Sequence, residues 1–381
     1  MGDCALYTLL PNHYANIGLV PFQVGILLSA NRWVRLISNH LAERAFRRIA
    51  PAPLLAGAFL LTSLITAAYG YFRAFALLLA ARILWGVCLS FIRQAGMMTV
   101  VRTSAGSHLG RRMGLHRGLT LSGFLVGTLL GGLCYDTFGF ASTFFTFSML
   151  SLLGLPLGLL SQRHGARIEP VVPAGGSRKT DPRILVCGFA LGLVGFGMIM
   201  STLGLIIKQR AGISVDFFGI AVGAATLTGT VLAIQWTLDI IGSPLLGAVG
   251  DRIGRRRCIP LVYAGGAGLL GCAGFSSGTA WMLVCVVLFF CCAAQLSVMV
   301  SACAGELGPK GVASYLTAHD FGSAVGPLIG WGLAQIVLSA DTVFLTGALS
   351  YLVGALASNR LLRSDKRPGL KSGGGPSHAL T

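Results

Sequence analysis

Eleven stretches of this 381-residue chain are apolar enough, and long enough at ~20 residues each, to cross a hydrocarbon layer of ~30 Å as helices. They run approximately over 21–43, 52–72, 75–101, 113–135, 140–161, 184–206, 217–249, 258–276, 279–303, 313–337 and 341–360. Backbone in lipid has no water to bond, so each stretch must close its own hydrogen bonds as a helix. Composition agrees: 54% of residues are hydrophobic and 11% charged, less than half the ~25% charge of soluble domains. A soluble domain and a disordered chain are both excluded. Leu6 to Leu19 is also apolar, but short and interrupted by Pro11, Asn12 and His13. It is expected to be the outer half of a first helix whose inner half is missing, making twelve spans; eleven is the competing count.

The net charge of +17 resolves into topology once loops are sorted by side. Alternate loops and the C-terminal tail hold 22 Lys and Arg, among them Arg44, Arg111, Arg183, Arg257 and Lys371. The opposite side holds 3: Arg73, Lys208 and Arg210. Positively charged loops stay in the cytoplasm, which places the C-terminus there and the chain in the plasma (inner) membrane. The lipid bilayer is then the partner of the basic residues, and no nucleic acid is expected. The 10 Cys form no C-x-x-C pair and have no His at ligand spacing; they read as small buried hydrophobes. No metal and no cofactor are expected.

The longest polar connection carries Pro170, Pro173, Gly175 and Gly176. It divides the chain into an N-terminal bundle (1–162), a cytoplasmic linker (163–183), a C-terminal bundle (184–362) and a disordered tail (363–381). The halves repeat. Gly247 to Arg257 reads G-A-V-G-D-R-I-G-R-R-R, and 208 positions earlier Asn39 to Ile49 reads N-H-L-A-E-R-A-F-R-R-I. Glu43 thus matches Asp251, Arg44 matches Arg252, and Arg47 and Arg48 match Arg255 and Arg256. Asn31 pairs with Asp239 at the same offset. Duplicated halves are frequent in secondary transporters.

The G-x-x-x-D-R-x-G-R-R string resembles the signature loop of the major facilitator superfamily, which joins the second and third helices of each half. Arg82 to Gly86 resembles the fourth-helix R-x-x-x-G signature. Gly127 to Gly132 is similar to the fifth-helix G-P-x-x-G-G motif, with Thr128 in place of Pro, and Gly326-Pro327-Leu-Ile-Gly330 is its counterpart in the eleventh helix. The resemblance implies an all-α polytopic fold of two pseudo-symmetric six-helix bundles. It also implies a helix-packing role for Arg82, Gly86, Gly127, Gly131, Gly326, Pro327 and Gly330. In the loops, Glu43, Arg44, Gly247, Asp251, Arg252, Gly254, Arg255 and Arg256 would form a latch on one conformation. The first copy has Asn39 and Phe46 where the second has Gly247 and Gly254.

Six charges lie inside the apolar stretches: Arg32, Arg35, Arg82, Arg93, Asp239 and Asp320. Each costs at least ~2.5–3.5 kcal/mol at a helix centre, so each must face protein or water. At ~1.5 Å per residue, Arg32 and Asp239 lie roughly 16–18 Å from the basic loops, near the midplane. Asn31, Arg32, Arg93, Gln94, Asp239 and Asp320 are therefore expected to line a central solute site. The arginines would bind an anionic small solute and an Asp would titrate if protons drive the cycle; structural ion pairs are the alternative. Asp3 would also sit mid-membrane in a complete first helix. Gly274 to Gly278 matches G-x-S-x-G and Gly266 to Gly271 matches G-x-G-x-x-G. Neither has the preceding strand that its chemistry requires, so no enzyme is expected. A monomeric secondary transporter, with efflux preferred to uptake, is the main expectation. A non-transporting receptor or assembly partner is the alternative.

Overall fold

The computed structural model describes residues 2–103, 109–162, 181–217, 220–242, 254–307, 309–337 and 341–364. Twelve helices form among them: α1 (Gly2–His13), α2 (Pro21–Arg48), α3 (Pro51–Tyr71), α4 (Phe75–Thr103), α5 (Leu109–Phe138), α6 (Phe140–Gln162), α7 (Pro182–Ala211), α8 (Ala224–Gly242), α9 (Arg255–Phe275), α10 (Thr279–Gly305), α11 (Pro309–Ile336) and α12 (Asp341–Ser364). Proline opens α2, α3 and α7, where its missing N–H removes a donor that had no partner anyway. Asp181 caps α7 by accepting from Arg183 N at 2.9 Å. Residues Gly192–Ile199 of α7 and Leu238–Gly242 of α8 are wound as π-helix.

Helices α1–α6 and α7–α12 make two bundles with the same internal neighbours. Helix α3 packs on α6 as α9 packs on α12, and α1 on α5 as α7 on α11. These four peripheral helices, α3, α6, α9 and α12, expose Leu64, Leu157, Leu261 and Leu356. Apolar surface left open in this way marks a membrane-facing belt. The bundles meet along two seams, α2 on α11 and α5 on α8, while α1 lies against α7 and α8. A two-fold exchanging α2 with α8 and α5 with α11 carries one seam onto the other. This is the two-bundle, pseudo-symmetric architecture that the repeat implied.

Among the described residues, nine helices are long and apolar enough to cross a membrane by length and composition. The two 28-residue helices outside that set are α2 and α11. They are the seam partners, so polar residues that lipid would reject are tolerated where protein covers them. The stretch expected as one span over 217–249 begins instead as a hairpin. Ser214–Phe217 pairs antiparallel with Ile220–Gly223, and helix starts only at Ala224. A short apolar run has no period that separates strand from helix.

The two copies of the basic turn also differ. Gly254 has φ +98° and caps α9, a backbone that L side chains rarely adopt. Its counterpart Phe46 is helical and buried, with its ring 5.8 Å from that of Phe91. Helix α2 therefore runs on to Arg48, and the turn falls at Ile49 and Ala50. Gly247, Asp251 and Arg252 lie outside the described residues, as do the side chains of Arg255 and Arg256.

Candidate functional site

Among the described residues, two clusters of charged and polar side chains stand out inside the bundles. The first lies between α1, α2 and α4. Arg82 is 1% exposed and pairs through Nη1 with Asp3 Oδ1. Its Nε donates to the Leu27 carbonyl at 2.8 Å. Asn31 Nδ2 donates to both oxygens of Asp3, at 3.1 and 3.3 Å. The Tyr7 hydroxyl donates to the Leu28 carbonyl at 2.9 Å, and the Arg32 guanidinium lies 5.4 Å from the Tyr7 ring centroid. Thus the acid foreseen on the first helix faces the fourth-helix arginine. Nothing in the spacing from Asp3 to Arg82 reveals that pairing, because only packing brings α1 against α2 and α4.

Gly86 makes the approach of α4 to α2 possible: a Cβ there would meet the Asn31 carbonyl at 2.9 Å. Gly131 does the same for α5 and α1, with a Cβ 3.0 Å from that of Ala5. Gly127 is buried on α5.

The second cluster spans the bundles. Asp320 on α11 has His319 Nδ1 at 3.7 Å from its Oδ1, and Arg35 on α2 and Arg93 on α4 add their fields to its own. Arg35 Nε is buried without a hydrogen-bond partner, whereas Asp320 is 36% exposed and Arg93 is exposed. Aromatic rings continue the surface. Phe124 of α5 lies 5.2 Å from Trp236 of α8, Trp236 6.0 Å from Phe196 of α7, and Phe196 5.2 Å from His319. Trp33 of α2 meets Phe321 of α11 edge-on at 5.3 Å.

The six residues grouped in the sequence as one lining set fall into separate places. Asn31 and Arg32 join the Asp3–Arg82 network, and the charge of Arg93 is felt at Asp320 without a direct contact between them. Asp239 sits in the π-helical end of α8 with Arg117 as its charged neighbour. Gln94 is half-buried on α4. Arg35, His319, Tyr7 and the aromatic run belong to the sites as well. Of these, Arg35 and His319 carried a signal as polar residues in apolar stretches, and the rings did not stand out from ordinary core. On the basic side, Glu43 is half-buried and Arg44 exposed.

Helices α7 and α11 touch backbone to backbone. A Cβ on Gly326 would meet the Leu193 carbonyl and the Gly197 Cα, and one on Gly330 would lie 3.0 Å from Thr202 Cγ2. Pro327 stands one residue from Gly326 and cannot donate to the carbonyl of Ser323, four residues earlier.

Comparison with known proteins fits this geometry. The rat (Rattus norvegicus) chromaffin granule amine transporter is 28% identical over 243 residues, 62% of this chain and 44% of that one. The chain thus spans under half the length of that relative. The multidrug resistance protein MdtG of Dickeya zeae (strain Ech586) is 25% identical over 313 residues, covering 74% of this chain and 72% of its own. Among solved structures, the nucleoside transporter NupG superposes with a TM-score of 0.73 at 13% identity, covering 94% of this chain and 95% of its own. A bacterial homologue of the lysosomal transporter Spinster, in an inward-facing and unoccupied conformation, gives 0.70 at 12% identity, covering 97% and 95%. At such identities these two likenesses concern the fold. The family model described as Major Facilitator Superfamily matches residues 1–313 and 185–379. With that match across nearly the whole length and the two-bundle fold beneath it, the chain belongs to the Major Facilitator Superfamily.

Proposed function

We propose that the chain carries a small organic anion across the membrane by alternating access, with its basic face in the cytoplasm and an intramembrane acid taking up the coupling proton. The observation that carries this reading is the uneven charge between the bundles. Arg35 and Arg93 act on one carboxylate, Asp320, which already has His319 3.7 Å away. A carboxylate or sulfonate on the solute supplies the missing negative charge, and the run from Phe124 to Phe196 offers an apolar wall to the rest of it. Asp3, held by Arg82 and Asn31, and Asp239, beside Arg117, are the acids placed to exchange a proton. The turns with Glu43, Arg44, Gly254, Arg255 and Arg256, together with Gly247, Asp251 and Arg252, serve as the latch on the basic side. Efflux is the direction preferred.

A cationic solute is the second reading, favoured by relatives named for amines and by the exposure of Asp320. It requires that carboxylate to hold the cation with two guanidiniums beside it.

Proteoliposome flux separates the two. With p-aminohippurate as the anionic probe and tetraethylammonium as the cationic one, Arg93→Gln is expected to lower anion flux roughly tenfold or more, the loss of one charge-assisted contact. Asp320→Asn should leave anion flux standing. Tetraethylammonium flux that survives Arg93→Gln and vanishes in Asp320→Asn would overturn the anion reading.

A further inference from the structure

Among the described residues, four hydrogen bonds between the bundles end on backbone groups that lack a regular helical partner or sit in the last turn of a helix. Asp136 Oδ2 of α5 accepts from Thr226 N at 2.7 Å and from Thr226 Oγ1 at 2.6 Å. Thr226 is in the first turn of α8, whose N–H groups have no carbonyl below them. The cap residue of α8 is Gly223, with no side chain to cap with. Gln335 Oε1 of α11 accepts from Phe22 N, in the first turn of α2, at 2.8 Å. Lys208 Nζ of α7 donates to the Asn12 carbonyl, in the last turn of α1, at 2.7 Å. Arg32 Nη1 of α2 donates at 2.6 Å to the Ser323 carbonyl, the group that Pro327 leaves open. Beside it, Ser29 Oγ donates to the Ala324 carbonyl. The first three lie towards the weakly charged face, and the fourth lies nearer the middle.

We propose that these cross-bundle caps are the gate at the weakly charged face. Parting the bundles there uncaps α2 and α8 at their N-termini, α1 at its C-terminus, and the Ser323 carbonyl that Pro327 leaves open in α11, so the caps set the balance between the two conformations. Arg32 is then a positioning residue of the seam rather than a solute ligand. Close backbone contact supports the gate. A Cβ on Gly25 would lie 2.8 Å from the Pro327 carbonyl, and one on Gly132 or Gly229 would run into the Ala225 or Thr128 carbonyl across the other seam. The inference rests on alternating access, but its readout is a distance and not a flux, so it fails separately from the transport reading.

The test is double electron–electron resonance in lipid nanodiscs. Spin labels go on Ala74 and Ser277, exposed in the α3–α4 and α9–α10 connections of opposite bundles at that face, in a chain whose native cysteines are replaced. Asp136→Ala and Gln335→Ala should each raise the long-distance population about fivefold, the typical weight of one helix cap. Gly223→Ala should do the same by a different route. The backbone there has φ −64° and ψ 147°, which any residue adopts, yet a Cβ would collide with the Asp136 carboxylate. Arg210→Ala is the control. It breaks an ion pair with Asp341 at 2.7 Å inside one bundle and should leave the distribution unmoved. A second label pair within one bundle, Ala74 with Phe138, reports intact folding. Unchanged distances in Asp136→Ala and Gly223→Ala would overturn the gate, as would an equal shift in Arg210→Ala.

Discussion

Asp3→Asn is expected to destabilise the protein by about 3–5 kcal/mol, although it exchanges one oxygen for nitrogen. Arg82 is 1% exposed, and Asp3 is the acid that pairs with it. A neutral amide at position 3 keeps the volume and some of the hydrogen bonding, but leaves a guanidinium in a water-poor interior without countercharge. Its remaining contact to the Leu27 carbonyl at 2.8 Å is a dipole and not a charge. Removing both ends should be gentler than removing one, because apolar groups of similar volume commonly replace a buried ion pair at little net loss. Thermal unfolding in nanodiscs of Asp3→Asn, Arg82→Met and the double variant measures this. The double should recover most of the stability lost by Asp3→Asn. Equal stability of Asp3→Asn and the parent would show that Arg82 draws its compensation from elsewhere.

The second large effect concerns glycines that look alike in the sequence and differ in the fold. Gly326→Ala should cost about 1–3 kcal/mol or more, the range of overpacking in a tight interior. Its new methyl would run into the backbone of α7 at Leu193 and Gly197, and backbone cannot swing aside as a side chain can. Gly322→Ala meets the same helix at Phe189 and should behave alike. Gly268→Ala, within the G-x-G-x-x-G string of α9, faces open space. It should stabilise the helix by up to about 0.5–1 kcal/mol, since glycine is the costlier helical residue. Comparing unfolding temperatures of the three proteins checks the contrast. A loss at Gly268 equal to that at Gly326 would mean that helix propensity, not approach of α7 to α11, governs these positions.

The gate bears on why α2 and α11, though 28 residues long, hold no stretch apolar enough to cross a membrane by length and composition. Arg32, Ser29, Gln335 and Pro327 lower their hydropathy, and each lies on the α2–α11 seam: Arg32 and Ser29 grip carbonyls of α11, Gln335 receives an N–H of α2, and Pro327 frees a carbonyl that Arg32 takes. Such groups weaken a hydropathy signal in proportion to their work between helices. The composition of these two helices is thus a trace of tertiary structure, visible in the sequence as a deficit and interpretable only once the partner is known.

Length and apolarity by themselves determined that the chain is a bundle of membrane-crossing helices, because lipid leaves the backbone no other way to close its hydrogen bonds. The repeated basic turn, E-R-x-x-R-R in the first half and D-R-x-G-R-R in the second, determined the two-bundle plan and pointed to the family, since a local string survives in sequence whatever packs against it. The midplane charges could be located by counting residues at a fixed rise. Their partners could not. Asp3 with Arg82 and Arg32 with the Ser323 carbonyl join residues 79 and 291 positions apart, and no periodicity reports which helix faces which. The hairpin before α8 and the helical run through Phe46 were likewise settled by surroundings. One short apolar segment suits strand or helix equally, and a phenylalanine follows the helix when a pocket on α4 receives it. Helix-forming tendency is written along the chain, whereas pairing across the bundles is decided by shape and charge in three dimensions.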